Sequence, residues 1–337
     1  MSAERKERAA KHIYVESQVM DRADTQQILK RFPQAEVIEI RHYKDVLNRP
    51  GQDFSAQKAA PALILARKEG TLLYPGARMC QSFSQAHFYY ASCMINCLYD
   101  CAYCYLQGMY PSANIVLFLN LEEVFAQVDE LLIKHPVYLC ISYDTDLLAL
   151  ESMTGFVQRW YTFLKDRPNL IVEVRTKSGS FDSFADLTPL PNLIFAWTLS
   201  PQVVIEKYEH RTASLRLRLN ALRQASRQGF PVRLCFDPIL YVRDYEKEYA
   251  TLVRETFAEP ISVLDASIGV FRISSTYLKQ MRRQRPGCAL LYYPFLLEDG
   301  AYSYGKELSQ KMTYVVKNCL LEYLKEEQIF IWDEEST

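Results

Sequence analysis

Net charge is what this sequence most plainly lacks. Its 39 Lys and Arg offset 40 Asp and Glu to leave −1 at pH 7. No overall field therefore draws the chain to nucleic acid or a membrane, and any polyanion site must be a local patch. Long apolar runs are also lacking. None approaches the ~18 residues of a membrane span, which excludes a helical membrane protein. Met1 to Lys11 is polar and carries no apolar stretch of the signal-peptide kind. With nine cysteines, this leads us to expect a reducing, cytoplasmic setting. No internal repeat or low-complexity stretch is present. His87, His135 and His210 have no spacing that fits a metal site, and there is no second C-x2-C knuckle of the kind zinc sites pair.

What is present begins with a core: 49% of the 337 residues are apolar, enough for one large domain or two small ones. The 23 tyrosines suit base stacking and ordinary cores equally. The densest signal is Cys93-Met94-Ile95-Asn96-Cys97-Leu98-Tyr99-Asp100-Cys101-Ala102-Tyr103-Cys104. Cys97, Cys101 and Cys104 have the spacing C-x3-C-x2-C. Thiolates on one short loop suit an iron–sulfur cluster, and three ligands leave one iron of a 4Fe-4S cubane open. Two other readings stand beside this one: a four-ligand zinc site completed by Cys93, or cysteines that are simply buried.

Around this loop the chain alternates strand and helix. An N-terminal unit carries strands near Ile13 and Val37, and Leu63 and Leu73 flank Glu69-Gly70 as the arms of an expected hairpin. From residue 86 on, strands are expected near 88, 139, 172, 195, 234 and 270, with an extra apolar segment at 114–119. Asn120 and Ser214 are expected to cap the helices that follow them, and Gly229 to stop the second. Six parallel units with helices outside predict an α/β fold: a partial (β/α)6 TIM-type barrel, with a small N-terminal α/β extension and a C-terminal hairpin and helix. The boundaries expected are 1–85 for the extension, 86–275 for the barrel and 276–337 for a substrate-side cap. Active residues of such a barrel gather at the C-terminal strand ends. The cysteine loop falls there, as do Asp144, Asp146, Lys177, Thr198, Ser200 and Asp237.

The C-x3-C-x2-C spacing resembles that of the radical S-adenosylmethionine (radical SAM) enzymes. The run Cys101-Ala102-Tyr103-Cys104-Tyr105-Leu106-Gln107 resembles more closely the cluster loop of the spore photoproduct lyases. Further pieces of that likeness are Ile13-Tyr14-Val15-Glu16, Asn48-Arg49-Pro50, His87-Phe88-Tyr89-Tyr90, Arg175-Thr176-Lys177, Glu209-His210-Arg211-Thr212 and Tyr304-Gly305-Lys306. The resemblance implies a 4Fe-4S cluster on Cys97, Cys101 and Cys104, SAM as cofactor and an electron donor such as a flavodoxin or ferredoxin. It implies as substrate DNA carrying a UV thymine lesion, 5-thyminyl-5,6-dihydrothymine, which a 5'-deoxyadenosyl radical reverts to two thymines. Tyr103 and Tyr105 match the family tyrosines that pass the radical back. The family's hydrogen-donor cysteine, however, aligns with Tyr143. Cys140 lies three residues earlier, an odd offset that turns it to the other face of a regular strand. Tyr143 and Cys140 are thus the candidates for hydrogen return; a different substrate within the family is the alternative to repair, and a non-enzymatic Cys-rich zinc or redox binding module is a further one.

The other candidates follow from the same likeness. Lys177 would hold the SAM carboxylate. Ser142, Asp144, Thr145 and Asp146 would hold its amino group and ribose by charge-assisted hydrogen bonds, with Thr198 and Ser200 as further contacts and Tyr103 beside the cofactor. Asp144 or Asp146 would serve as well to cap the next helix. For DNA, Arg211 and Arg216 head a basic group that includes Arg218, Arg223 and Arg227, and Arg272, Lys279, Arg282, Arg283 and Arg285 form a second. A hairpin about Asp299-Gly300, with Tyr302 and Tyr304, and Lys306 beyond it, would help expose the lesion. Cys80, Cys235, Cys288 and Cys319 are isolated and expected to be structural.

Overall fold

The computed structural model describes residues 11–77, 79–298 and 300–332; Asp299 of the expected turn lies outside the described residues. The larger of its sheets contains β1 (Leu73–Pro75), β2 (Phe88–Ala91), β3 (Val137–Cys140), β4 (Leu170–Thr176), β5 (Leu193–Thr198), β6 (Val232–Ile239), β7 (Asp265–Val270) and β8 (Ile329–Ile331). They lie edge to edge in chain order. β1 joins β2 antiparallel, and each later neighbour pairs parallel. The six strands expected from residue 86 on are β2 to β7. This is a mixed α/β fold. β5 and β7 are buried along their whole length, as strands covered on both faces must be. The cover comes from crossover helices such as Leu121–Leu132, Phe156–Leu164 and Leu215–Gln228, whose apolar residues recur at helical spacing.

A second, five-stranded sheet takes the N-terminal strands. In it Leu63–Ala66 pairs parallel with both His12–Glu16 and Ile115–Phe118. This corrects two readings. The extra segment at 114–119 belongs to the N-terminal sheet, and Leu63 and Leu73 do not share a hairpin but enter different sheets. The physical reason is burial: all four residues of Leu63–Ala66 are buried, which a central strand provides and a hairpin edge does not. Two caps are also corrected. The Asn120 side chain makes no cap bond; it instead pairs with both backbone groups of Lys68, at 2.9 Å each. Ser214 makes no side-chain cap either. Gly229 does end its helix, with φ +99°, a left-handed conformation that favours glycine.

At the C-terminal side Leu296–Glu298 and Ala301–Ser303 form the hairpin, extended by Ile273–Ser274, and the helix Lys306–Leu320 packs on β6, β7 and β8. Among the described residues no helix is long and apolar enough to cross a membrane.

One packing contact fixes the cluster loop from behind. The short helix Leu106–Met109 leaves that loop and packs on the helix Ser275–Gln284. A Cβ on Gly108 would stand 2.5 Å from Tyr277 Cα and 2.7 Å from its carbonyl oxygen. Backbone cannot move aside as a side-chain tip can. Gly108→Ala is therefore expected to lower the urea unfolding free energy by about 2 kcal/mol. An unchanged midpoint would show that the two helices separate freely.

Candidate functional site

The cysteine loop begins where β2 ends. Asn96 takes φ +67°, which Asn tolerates better than most residues, and its amide donates to the carbonyls of Ser112 and Asn114 at 2.8 and 2.7 Å. The loop is then held on three sides. Lys58, from the N-terminal region, donates to the carbonyls of Cys97 and Tyr99, at 2.8 Å each. Gln107 donates to the carbonyl of Cys101 at 2.7 Å. Asp100-Cys101 pairs antiparallel with Glu209-His210, and Arg285 bonds Asp100 and Gln107.

The three thiols interact electrostatically with one another, whereas the neighbours of Cys93 are Trp160, Lys68, Arg159 and Asp144. Burial pushes the Cys97 thiol up to about 12 and raises Cys101 as well, so each gains from a cation that stabilises its thiolate. Among the described residues no three His, Cys, Asp or Glu side chains are drawn together as one metal ion requires. A cubane presents a separate iron to each thiolate and so needs no such convergence. The donor set thus fits a cluster better than a mononuclear zinc.

Glu209 organises the floor beside the loop. It is buried, and it accepts from the hydroxyls of Tyr103 and Ser200, the latter at 2.8 Å, and from Arg218. Burial would raise its pKa, but Arg218 and Lys177 outweigh that and lower it. Lys177 stands 5.6 Å from the centre of the Tyr103 ring. Burial disfavours its charge, and Cys101 and Glu209 more than restore it, so its pKa is raised. Thr198 offers its carbonyl to Arg218 at 3.1 Å. The sequence reading counted Glu209 only within a family motif and Lys58 not at all. A buried carboxylate and a buried amine leave no spacing signal, because their partners lie far away in the chain.

The end of β3 supplies the next wall. Ser142 Oγ accepts from the Arg175 amide at 2.6 Å. Asp144 accepts from Ser92, and burial raises its pKa against the pull of Ser92 and Lys68. Its Oδ1 and the hydroxyl of Thr145 are buried without a hydrogen-bond partner, which costs about 1–3 kcal/mol each unless a ligand meets them. Asp146 differs: it accepts from Thr176 at 2.8 Å, from the Lys177 amide at 2.7 Å and from the Ala149 amide at 3.3 Å. Its oxygens are taken up in capping and in tying β3 to β4. Tyr143 stacks on Tyr90 at 4.1 Å and lies 5.7 Å from the Tyr105 ring, whose hydroxyl donates to the Tyr143 carbonyl. β3 stops at Cys140, so strand alternation no longer separates Cys140 from Tyr143. Both lie within electrostatic reach of Cys80.

The basic residues divide. Arg218 is fully buried against Glu209, and Arg223 pairs with Glu259 at 2.8 Å, which removes both from the expected phosphate-binding group. Arg272 pairs with Asp237 at 3.0 Å and Arg285 with Asp100. Arg211 bonds the Lys58 carbonyl. Arg216, Lys279, Arg283 and Lys306 are exposed. Tyr302 is half-buried in the hairpin, whereas Tyr304 is enclosed among Tyr241, Tyr293 and Phe295, its hydroxyl accepting from the Tyr241 amide at 3.1 Å. Leu296 and Leu297 occupy the exposed arm of the hairpin.

Comparison with known proteins agrees with this geometry. Residues 9–283 match the family model described as spore photoproduct lyase. The spore photoproduct lyase of Geobacillus sp. (strain Y412MC61) is 21% identical over 270 residues, 78% of this chain and 77% of its own. That of Bacillus subtilis (strain 168) is 21% identical over 247 residues, 71% of this chain and 70% of its own. A solved spore photoproduct lyase complexed with dinucleoside spore photoproduct has the same fold, with a TM-score of 0.82 at 17% identity, covering 96% of this chain and 98% of its own. A mutant spore photoproduct lyase with bound AdoMet and the same dinucleoside gives 0.81 at 18% identity, covering 95% and 97%. The chain belongs to the spore photoproduct lyase family.

Proposed function

We propose that this chain is a radical SAM lyase that reverts the spore photoproduct in UV-damaged DNA to two thymines. The observation that carries this is the cysteine loop: three thiols on one clamped loop, each within electrostatic reach of the others and with none of them among the neighbours of Cys93, in a chain whose family is established. On this reading β2 to β7 form the open partial (β/α)6 barrel over 86–275, with 1–85 an extension packed on it and 276–337 a cap on the substrate side. Six neighbouring parallel strands in chain order support the barrel.

Cys97, Cys101 and Cys104 would hold a 4Fe-4S cluster, and Lys177, Ser142, Asp144, Thr145, Thr198 and Ser200 would bind SAM beside it. The two unpartnered buried oxygens on Asp144 and Thr145 support this assignment. When bound and reduced by an external donor such as a flavodoxin or ferredoxin, the pair supplies a 5'-deoxyadenosyl radical. The chain's own part is to position and protect. Asp146 ties the β3 loop to Lys177. Glu209 keeps the Tyr103 hydroxyl oriented, and Tyr105 is fixed against Tyr143, which suits both tyrosines to returning a hydrogen atom. Arg216 and Lys306 are exposed where they would meet phosphates, with Arg211 on the adjoining turn, and Tyr302 would line the approach.

The test is an anaerobic assay of the lesion dinucleotide with SAM and a reductant. Repaired thymine should form with SAM cleavage. SAM cleavage without repair would remove the proposal in favour of a second reading, a different substrate in the same family. Tyr143, standing where the family resemblance implies a cysteine, is the basis for that second reading.

A further inference from the structure

Resting on the repair reading above, we propose that Arg175 binds a ring carbonyl of the lesion, holding a base that has left the DNA stack against the polar face of the larger sheet. That sheet has two unlike faces. Residues paired in register share a face, and alternate residues of a strand return to it. Val174 pairs with Phe195, Trp197 with Leu234 and Phe236 with Ile268, and all six belong to the buried apolar core. The other face is polar. There Glu173 pairs with Cys140, Arg175 with Ala196, Ala196 with Arg233, and Arg233 with Asp265. Charges held inside a fold are matched or meet a ligand.

Most of this charge is matched within the sheet. Arg233 forks onto Asp265 and also bonds Glu173, which accepts from the Tyr138 hydroxyl as well. All four side chains are buried. Arg175 differs. It donates through Nε to Glu173 at 3.1 Å, and its two terminal nitrogens have no partner among the described residues. Its side chain is 29% exposed, although β4 lies between β3 and β5 in the middle of the sheet. A central strand shows such exposure only where the space above its face is open. On the same face Ala196, Cys235 and Ser267 are small and buried, so Arg175 is the long side chain that reaches the opening. The Asp237–Arg272 pair bounds it over β7: a Cβ on Gly269 would stand 2.8 Å from Arg272 Nη1 and 3.0 Å from Asp237, so glycine lets the pair lie flat on that strand. Lys177, read above as a SAM contact, follows Arg175 by two residues. A group held by Arg175 would thus sit beside SAM and further inside the strand ends.

Charge decides what that group is. Arg175 and Arg233 are balanced by Glu173 and Asp265, so the site offers N–H donors without excess positive charge. A phosphate draws its affinity from excess charge, and its place is on the exposed cations at the rim. A neutral group with acceptor oxygens fits Arg175. Thymine and dihydrothymine rings carry carbonyls at C2 and C4, and a guanidinium offers such oxygens donors in a fixed fork. Chemistry on a base requires it to leave the stack for a pocket that hydrogen-bonds its edge. Arg175 is in this sense a specificity residue: its bond is made to the lesion and not to the cofactor.

The test uses the cluster-loaded full chain with SAM, a reductant and the lesion as a dinucleoside, which has no phosphate. Arg175→Met is similar in length and neutral, and it leaves Glu173 with Arg233 and Tyr138. It should raise the KM for the dinucleoside at least tenfold, the scale of a lost hydrogen bond to a charged group, and the KM for SAM less than twofold. Arg175→Lys keeps the charge without the fork and should fall between Arg175→Met and wild type. With the phosphate-bridged dinucleotide the ratio of variant to wild type should be the same.

An unchanged dinucleoside KM in Arg175→Met would overturn the inference. So would a loss confined to the dinucleotide, which would make Arg175 a phosphate ligand, and so would equal rises for SAM and lesion, which would mark a general disturbance of the site. If Arg175→Met does not fold, the wild-type protein supplies the check. Sulfur is a weaker acceptor than oxygen, so among dinucleoside lesions carrying one thiocarbonyl at C2 or C4 of either ring, at least one should bind severalfold weaker than the lesion itself. Undiminished binding of all of them would remove the contact. A wild-type protein that cleaves SAM and neither binds nor repairs the dinucleoside would sink the repair reading and this inference together, a result distinct from any loss seen only in the variants.

Discussion

Alanine at Cys97, Cys101 or Cys104 is expected to abolish iron binding and SAM cleavage, whereas Cys93→Ala should leave both in place. The difference follows from the neighbours of each thiol. Cys101 has Lys177, Glu209, Cys104 and Cys97 around it, the surroundings of a shared site. Cys93 is buried and has Trp160, Lys68, Arg159 and Asp144 as its electrostatic neighbours instead. A three-thiolate cubane has no spare ligand, so removing one leaves an iron uncoordinated and the cluster open to loss. A loss of at least a thousandfold in SAM cleavage is the scale to look for. The check is iron content after anaerobic reconstitution, with the electron paramagnetic resonance of the reduced protein. Loss of the bound metal in Cys93→Ala as well would favour the four-ligand zinc reading instead. Because the loop is held by Lys58, Gln107 and Arg285 through backbone carbonyls and neighbouring side chains, the three alanine variants should still fold. Far-ultraviolet circular dichroism can check this separately.

Local signals were legible in the sequence, and long-range pairings were not. The cysteine spacing survives as one loop because its residues are adjacent. The six strands β2 to β7 were readable because each is a short apolar run that ends in turn residues. Leu63–Ala66 misled because its hairpin signal, Glu69-Gly70, is real as a turn: Gly70 has φ +74°. A turn does not say which sheet each arm joins. The two caps failed for a related reason. Asn120 had a choice between its own helix and the backbone of Lys68, and the distant partner won, with two bonds in place of one. Arg218 read as a phosphate ligand because a charge on a helix is usually solvated, and nothing local announces a buried carboxylate nine residues earlier.

Breaking the Glu209–Arg218 pair is expected to cost more stability than any single surface change. Both side chains are fully buried. Glu209→Ala leaves the Arg218 guanidinium with only the carbonyls of Ala213 and Thr198 and the hydroxyl of Thr212 as acceptors, an uncompensated buried charge. Removing one partner of such a pair costs about 3–5 kcal/mol, a large share of the stability of a typical domain. The functional consequence is separable from the structural one. A double variant, Glu209→Gln with Arg218→Met, removes both charges together and should recover most of the unfolding free energy, since replacing a buried pair by groups of similar volume is often close to neutral. Tyr103 would still have lost its carboxylate acceptor, and Lys177 one of the charges that raise its pKa. The double variant should therefore unfold near the wild-type urea midpoint yet consume several times more SAM for each lesion repaired. Full recovery of both stability and SAM economy would show that the Glu209 charge serves only to neutralise Arg218, and that Tyr103 needs no charged acceptor to return its hydrogen.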